Sequence, residues 1–291
     1  MRQSVQFHAP QTVAEACALL AERGDTAKVV AGGVAVVNLL RMRFITPEHL
    51  VSLHRIGELR YIRYDEARGL VLGALTTHRE VERSELVRRH VPMLTEVEAT
   101  IAGVQIRNRG SVGGSLVHAD PRGDLAPGLI ALRASVVLRS REAERELPVE
   151  ELLVDYYETV LRPDELLSEI RVPPSPPRTG AFFLKYWTRT PSDFAVMNAA
   201  CVVTVEGGRC ADVSIGLGGV HRRAFRPRGA EEALKNSALG AADLDRAGSI
   251  AATECEPIGD LKGSAEYKRE MVRKLLPRAI VQAAQRAKKE R

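Results

Sequence analysis

Residues Pro173-Pro174-Ser175-Pro176-Pro177 constrain this chain of 291 residues more than any other stretch. Proline lacks an amide donor and has a fixed φ, so neither a helix nor a sheet interior can run through such a segment. It reads as a stiff, extended linker and places a domain boundary near residue 175. The pattern differs on its two sides. Before it, short apolar strands alternate with amphipathic helices. After it, Phe182 to Thr188 and Ala199 to Val205 read as strands, and Glu206-Gly207-Gly208-Arg209 reads as a hairpin turn into Ala211 to Leu217, which indicates antiparallel pairing. A long helix is expected from Ser264, kinked or divided at Pro277.

On the N-terminal side, a strand over Val5 to Phe7 precedes a helix beginning at Thr12, where Glu15 completes a capping box. Lys28 to Ala31 reads as a buried strand that runs into Gly32 and Gly33, and the apolar residues Val34 to Leu40 suit a helix that starts directly after them. Short β-like runs recur from Leu50 to Leu75. Thr77 and Glu80 form a second capping box before a segment ending near His90, and a helix is expected from Pro92 to about Ile101. Leu125 to Ala134 resembles a helix and Ser135 to Leu138 a strand.

Two glycine pairs carry the chemistry. Gly32-Gly33 follows Val29, Val30 and Ala31, and Gly113-Gly114 follows Ser111 and Val112, each read as the end of an apolar strand. Glycine lets the backbone approach a ligand and turn its amides toward one point, and a helix N-terminus adds attraction for anions. Either pair alone reads better as a tight turn. Together they point to a phosphate-bearing ligand. Neither is the GxGxxG fingerprint or a P-loop, and Gly216-Leu217-Gly218-Gly219 fails the same test, so a Rossmann-type site is not supported. Asp120 and Asp124 flank the turn after the second pair. A carboxylate there can accept from sugar or ribityl hydroxyls, while capping the helix near Leu125 suits Asp124 equally well. Arg107 and Arg109, read as sharing one face of a strand, either neutralise phosphate or pair with neighbouring acids. His118 reads as structural, since no nucleophile or metal partner is visible near it.

Composition excludes several classes. The 42 basic and 37 acidic residues give +5, partly from Arg286, Lys288, Lys289 and Arg291, and that end reads as a solvated helix terminus. Aromatic residues make up only 4% and do not cluster with the arginines, which argues against nucleic acid. No window reaches the ~18 apolar residues of a membrane span, and the start has no signal-like apolar region, so a cytoplasmic protein is expected. Cys17, Cys201, Cys210 and Cys255 lie far apart, without metal-ligand spacing, and read as reduced, mostly buried thiols.

The string Gln105-Ile106-Arg107-Asn108-Arg109-Gly110-Ser111-Val112-Gly113-Gly114-Ser115, with Ala31-Gly32-Gly33 upstream, closely resembles the FAD-binding medium subunit of the molybdenum hydroxylases, the xanthine dehydrogenase and carbon monoxide dehydrogenase family. The likeness extends through His118-Ala119-Asp120-Pro121, Asp124-Leu125-Ala126-Pro127, Leu166-Leu167-Ser168-Glu169-Ile170, Lys185, Arg189, Asp193, Gly216-Leu217-Gly218-Gly219-Val220 and Gly263-Ser264-Ala265-Glu266-Tyr267. It covers nearly the whole chain in order.

The resemblance implies an α+β fold: an N-terminal FAD-binding domain over residues 1–175, made of two α/β subdomains (about 1–55 and 56–175, a PCMH-type flavin fold), and a C-terminal antiparallel sheet with helices over 176–291. It implies that Val29, Val30, Ala31, Gly32, Gly33, Val34, Ala35 and Val36, with Ser111, Val112, Gly113, Gly114 and Ser115, wrap the diphosphate and ribityl chain of FAD. Asp124 is then expected on flavin hydroxyls, Ile101 against the cofactor, and Leu166, Leu167 and Lys185 near the ring. No catalytic base and no metal ligand are implied. The implied role is electron transfer from the 2Fe-2S clusters of a small partner subunit through FAD to an external acceptor, in a heterotrimer with a large molybdopterin-binding subunit, possibly doubled. Two other readings stand beside it, a self-contained flavin oxidase or reductase and a flavin-free assembly scaffold. Three features depart from the family pattern. Ala35 stands where a serine or threonine is common, a cysteine-rich insertion is absent, and Pro277 interrupts the last helix.

Overall fold

A computed structural model describes residues 5–289, with the side chain of residue 289 excluded; Arg291, counted in the basic end, lies outside this range. Three main sheets are built in succession, besides a two-stranded ribbon of Leu153–Asp155 and Glu158–Thr159. The first is parallel: strands Gln6–His8 and Ala27–Val30 flank the central strand His49–Ser52. The Val13–Arg23 helix covers one face because Val13, Ala16, Cys17 and Leu20 recur at helical spacing and bury together against Val51 and Leu53. Its N-terminus is half of the expected capping box. The Thr12 hydroxyl accepts from the Glu15 amide at 3.1 Å, but the Glu15 carboxylate accepts from Gln11 instead of Thr12.

The second sheet is antiparallel, in the order Ile62–Asp65, Gly69–Gly73, Leu166–Val172, Ser135–Arg139, Glu144–Pro148. Its central strand is the last of the five in sequence, so the helices between residues 78 and 131 are trapped over the sheet. Leu70, Leu72, Val97, Leu116, Leu129 and Ile170 form the core between them. The box predicted at Thr77 and Glu80 is complete in both directions.

In the third sheet, Met197–Glu206 lies between Thr179–Tyr186 and Arg209–Gly218, all antiparallel. The Ala265–Lys289 helix packs on one face, so closely that a Cβ on Gly180 would stand 2.2 Å from the Ala283 carbonyl oxygen. Pro277 does not divide this helix, contrary to one expectation from sequence. Proline forfeits the hydrogen bond to residue 273, and at this place the Ala241–Glu254 helix makes its near approach. A Cβ on Gly248 would stand 2.6 Å from the Arg273 carbonyl oxygen and 3.0 Å from Pro277 Cγ. Glycine on one helix thus accommodates proline on the other.

The opposite face of the third sheet rests on the Leu125–Ala131 helix. A Cβ on Gly216 would stand 2.0 Å from the Pro127 carbonyl oxygen, and one on Gly218 2.7 Å from Pro127 Cγ. This contact joins the C-terminal sheet to the N-terminal domain immediately beside Asp124. Gly216→Ala is therefore expected to overpack the junction and cost about 1–3 kcal/mol, read as a lower urea midpoint. An unchanged midpoint would show that the junction yields freely.

Candidate functional site

The first glycine turn lies where the edge strand Ala27–Val30 ends. Gly33 adopts φ +78 and is the N-cap of the Val34–Arg41 helix. That conformation favours glycine, and glycine has no side chain with which to cap. The first-turn amides of Val34, Ala35 and Val36 consequently have no helical acceptor and no side-chain cap. An open helix start of this kind carries roughly half a positive charge. The helix is also strongly apolar yet contains no buried residue, and Val37 is 49% exposed. An apolar helix only partly covered by its own chain leaves room for something else to pack on it.

The second pair is built differently from the expectation. It does not follow a strand. Ser111 makes one isolated bridge with Thr77, and Val112–His118 is a helix with Gly113 and Gly114 in its first turn. Ser111 is the N-cap: its Oγ accepts from the Gly114 amide at 3.2 Å, and the Gly113 amide donates to the Ala74 carbonyl at 3.0 Å. Those two amides are engaged within the protein, and the glycines serve close packing instead. A Cβ on Gly113 would stand 2.6 Å from Ala74 Cβ, and one on Gly114 3.5 Å from Ala31 Cβ. A serine three residues before Gly114 was the available signal for this cap.

The two turns lie side by side. A Cβ on Gly32 would stand 1.8 Å from the Arg109 carbonyl oxygen and 3.2 Å from Gly110 Cα, so backbone meets backbone with no room for a side chain. The open amides belong to the first turn, and the second supplies the wall against which it rests.

Arg107 is not on a strand, so the shared face proposed for it and Arg109 does not exist. It ends the short Val104–Arg107 helix. Its guanidinium donates to Glu82 at 2.8 Å and to the carbonyls of Ile101 and Ala102 at 3.0 and 2.8 Å. It thereby fixes the end of the Pro92–Thr100 helix, where Ala102 takes φ +44, and holds Ile101 half-buried beside the core.

Asp124 occupies the N-cap position of the Leu125–Ala131 helix but makes no cap bond. Its Oδ2 accepts from Lys185 Nζ at 2.7 Å and its Oδ1 from Asn198 Nδ2 at 3.0 Å, while Lys185 also donates to the Thr100 carbonyl at 2.9 Å. The two charged side chains are only 6% and 2% exposed. Burial pushes the Asp124 carboxyl up to about 6, against the pull of Lys185 and Asn198 in the other direction. Four segments, around Thr100, Asp124, Lys185 and Asn198, thus meet at one buried ion pair. Asn198 was not singled out from sequence, although an amide inside the apolar run Met197 to Val205 is the signal that could have found it. Leu166 and Leu167 begin the central strand of the second sheet and are buried in two different clusters. Ser115 lies half-buried on the Val112–His118 helix.

His118 and the cysteines are held by packing. The His118 ring packs on Tyr157 with centroids 5.1 Å apart, and burial lowers its pKa, keeping it neutral. All four cysteines are buried and free, and burial pushes Cys210 to about 11 and Cys255 to about 12, so they stay thiols. Among the described residues no group of three His, Cys, Asp or Glu could hold a metal, and no helix is long and apolar enough to cross a membrane.

An uncapped helix start, a glycine-lined approach of two backbones and a partly covered apolar helix fit a nucleotide carrying a diphosphate. The sequence matches the family described as "FAD binding domain in molybdopterin dehydrogenase" over residues 3–175 and "CO dehydrogenase flavoprotein C-terminal domain" over residues 182–283. It is 37% identical over 286 residues to the 6-hydroxypseudooxynicotine dehydrogenase complex subunit alpha of Paenarthrobacter nicotinovorans, covering 98% of this chain and 96% of that protein. It is 35% identical to the carbon monoxide dehydrogenase medium chain of Hydrogenophaga pseudoflava, covering 94% and 95%. Its fold superposes on a chain of the reconstituted CO dehydrogenase from Oligotropha carboxidovorans with a TM-score of 0.94 at 34% identity, covering 98% and 99%.

Proposed function

The chain belongs to the FAD-binding medium subunits of the molybdenum hydroxylases, the xanthine dehydrogenase and carbon monoxide dehydrogenase family, and from that premise we propose that it passes electrons from the 2Fe-2S clusters of a partner subunit through FAD to an external acceptor. One observation carries the reading of the site: the backbone of residues 109–110 rests directly on Gly32, at the open start of the Val34–Arg41 helix. FAD, when bound, supplies the capacity to accept and store electrons. The protein's residues have simpler tasks.

The amides of Gly33 to Val36 hold the diphosphate. Ala35 takes part through its amide alone, and loss of one neutral hydroxyl contact weakens binding by about 0.5–1.5 kcal/mol without abolishing it. Ser111 and Ser115 lie along the second wall. Ile101, held by Arg107 through its carbonyl, packs against the flavin, and the Asp124–Lys185 pair orients the ribityl hydroxyls and the ring end. Leu166 and Leu167 back that end from within the core. No side chain acts as nucleophile or base. Substrate oxidation then falls to a large molybdopterin-binding subunit, within a cytoplasmic heterotrimer that also contains the small 2Fe-2S subunit.

Purification from the native cell tests this directly. The chain is expected to arrive yellow, with molybdenum and iron in its partners, and its flavin band is expected to bleach when the complex oxidises substrate without an acceptor. A chain that purifies alone and turns over a substrate unaided would contradict the role, as would one that arrives with partners but no flavin.

A further inference from the structure

Behind the second glycine turn lies a buried ion pair to which the proposed function gives no task. His78 Nδ1 is 2.7 Å from Glu98 Oε2, with side chains 4% and 0% exposed. Burying such a pair is expensive, and an apolar pair of similar volume commonly serves a fold as well or better. The expense is greater here because Glu98 Oε1 is buried without a hydrogen-bond partner. Packing alone therefore does not account for it.

Its neighbours do. The His78 amide donates to the Gly110 carbonyl at 3.0 Å, and its ring lies so near that a Cβ on Gly110 would stand 2.9 Å from His78 Cδ2. The adjacent peptide, with the Arg109 carbonyl, is the one that rests on Gly32. The Val112 amide donates to the Thr76 carbonyl at 2.9 Å, so residues 76–78 run along the back of residues 110–112. Glu98 stands in the last turns of the Pro92–Thr100 helix, and Thr100 of the same helix receives Lys185, the partner of Asp124.

We infer that His78 and Glu98 are positioning residues for FAD: Glu98 orients the His78 ring, the ring braces Gly110 from behind, and the braced peptide sets the spacing between the two turns that hold the diphosphate. The inference rests on the proposed flavin site. Burial is the largest single influence and works to lower the His78 imidazole, but the charge of Glu98 and the hydrogen bond to it together outweigh it, with Arg107 and Asp124 as the other charged groups facing the ring, and the net direction is upward. The ring is thus a donor to Glu98 and keeps a fixed orientation. One helix end then links the diphosphate wall to the Asp124–Lys185 pair.

The test compares the full chain with Glu98→Gln, which keeps the shape but exchanges the charge-assisted bond to His78 for a weaker neutral one, and with His78→Leu/Glu98→Leu, which replaces the pair by apolar groups. The readouts are FAD dissociation constant, the phosphorus-31 resonances of bound FAD and the thermal midpoint of the flavin-free protein. Both variants are expected to bind FAD at least about tenfold more weakly, the ratio of roughly one lost polar contact, with displaced diphosphate resonances. The double variant is expected to keep a midpoint near that of the wild type. A folded variant with wild-type affinity and unshifted resonances overturns the positioning role, and Glu98→Gln decides alone if the double variant does not fold. A wild-type chain that binds no FAD instead overturns the proposed function, and this inference with it.

Discussion

Gly32→Ala is expected to purify colourless. Its Cβ would stand 1.8 Å from the Arg109 carbonyl oxygen and 2.6 Å from its carbon, both under the 3.0 Å that real contacts respect. The atoms struck are backbone, so no rotamer change relieves the contact. The two turns must separate, and the open amides of the first are displaced from the wall beside which they hold the diphosphate. Charge-assisted hydrogen bonds contribute about 1.5–3 kcal/mol each, so losing one or two weakens FAD binding by about tenfold to about ten-thousandfold. Overpacking adds about 1–3 kcal/mol of lost stability. Gly33→Ala supplies the graded comparison. Its nearest contact is 3.6 Å, and the strain of φ +78 costs only about 1–2 kcal/mol, so partial flavin retention is expected. Gly207→Ala, with φ +55 and nothing within 4 Å in the far hairpin, should keep full colour despite similar strain. Extraction and absorbance near ~450 nm measure all three, and a yellow Gly32→Ala protein would mean that the turns are not the binding wall.

Lys185→Met strands the Asp124 carboxylate in a buried site. Removing one partner of such a pair costs about 3–5 kcal/mol, far more than an exposed ion pair, and the fold should melt well below the wild type. The pH dependence follows from the shifted carboxyl. Its pKa in the folded chain is raised from 3.8 to about 6, so its contribution to stability is fully present below 3.8 and is lost as pH rises through about 6. Without the ammonium the carboxyl rises further. The deficit of Lys185→Met should therefore be small near about pH 5, where Asp124 takes up a proton, and large near about pH 8. Asp124→Asn placed on Lys185→Met should recover much of the loss at the higher pH. A deficit independent of pH, measured by urea unfolding, would show that the two residues do not share one buried charge balance.

These two sites differ in how far the sequence revealed them. The Gly32-Gly33 turn is local: a strand, two glycines and an apolar helix within about a dozen residues, and each step obeys short-range rules. The α+β class and the C-terminal hairpin were legible for the same reason, since the hairpin turn lies between the strands it joins. The second glycine pair was misread as following a strand because its surroundings are long-range. Ser111 faces Thr77, and Gly113 faces Ala74, across more than thirty positions of sequence. Arg107 was placed on a strand for a similar reason, as its partner Glu82 lies 25 residues away. Asp124 was read either as an acceptor from ligand hydroxyls or as a helix cap, the local job for an aspartate there, and the cap bond is not made because its partners within the protein are 61 and 74 residues distant. Pro277 was expected to kink or divide its helix, and the glycine that receives it stands on another helix altogether.

Discrimination between FAD and FMN tests the central claim most directly, because FMN shares the ring and ribityl chain but ends at one phosphate. Apo-protein titrated with each by fluorescence quenching is expected to bind one FAD per chain, at least about a hundredfold more tightly than FMN. Equal affinity for the two would show that the paired glycine turns hold no diphosphate.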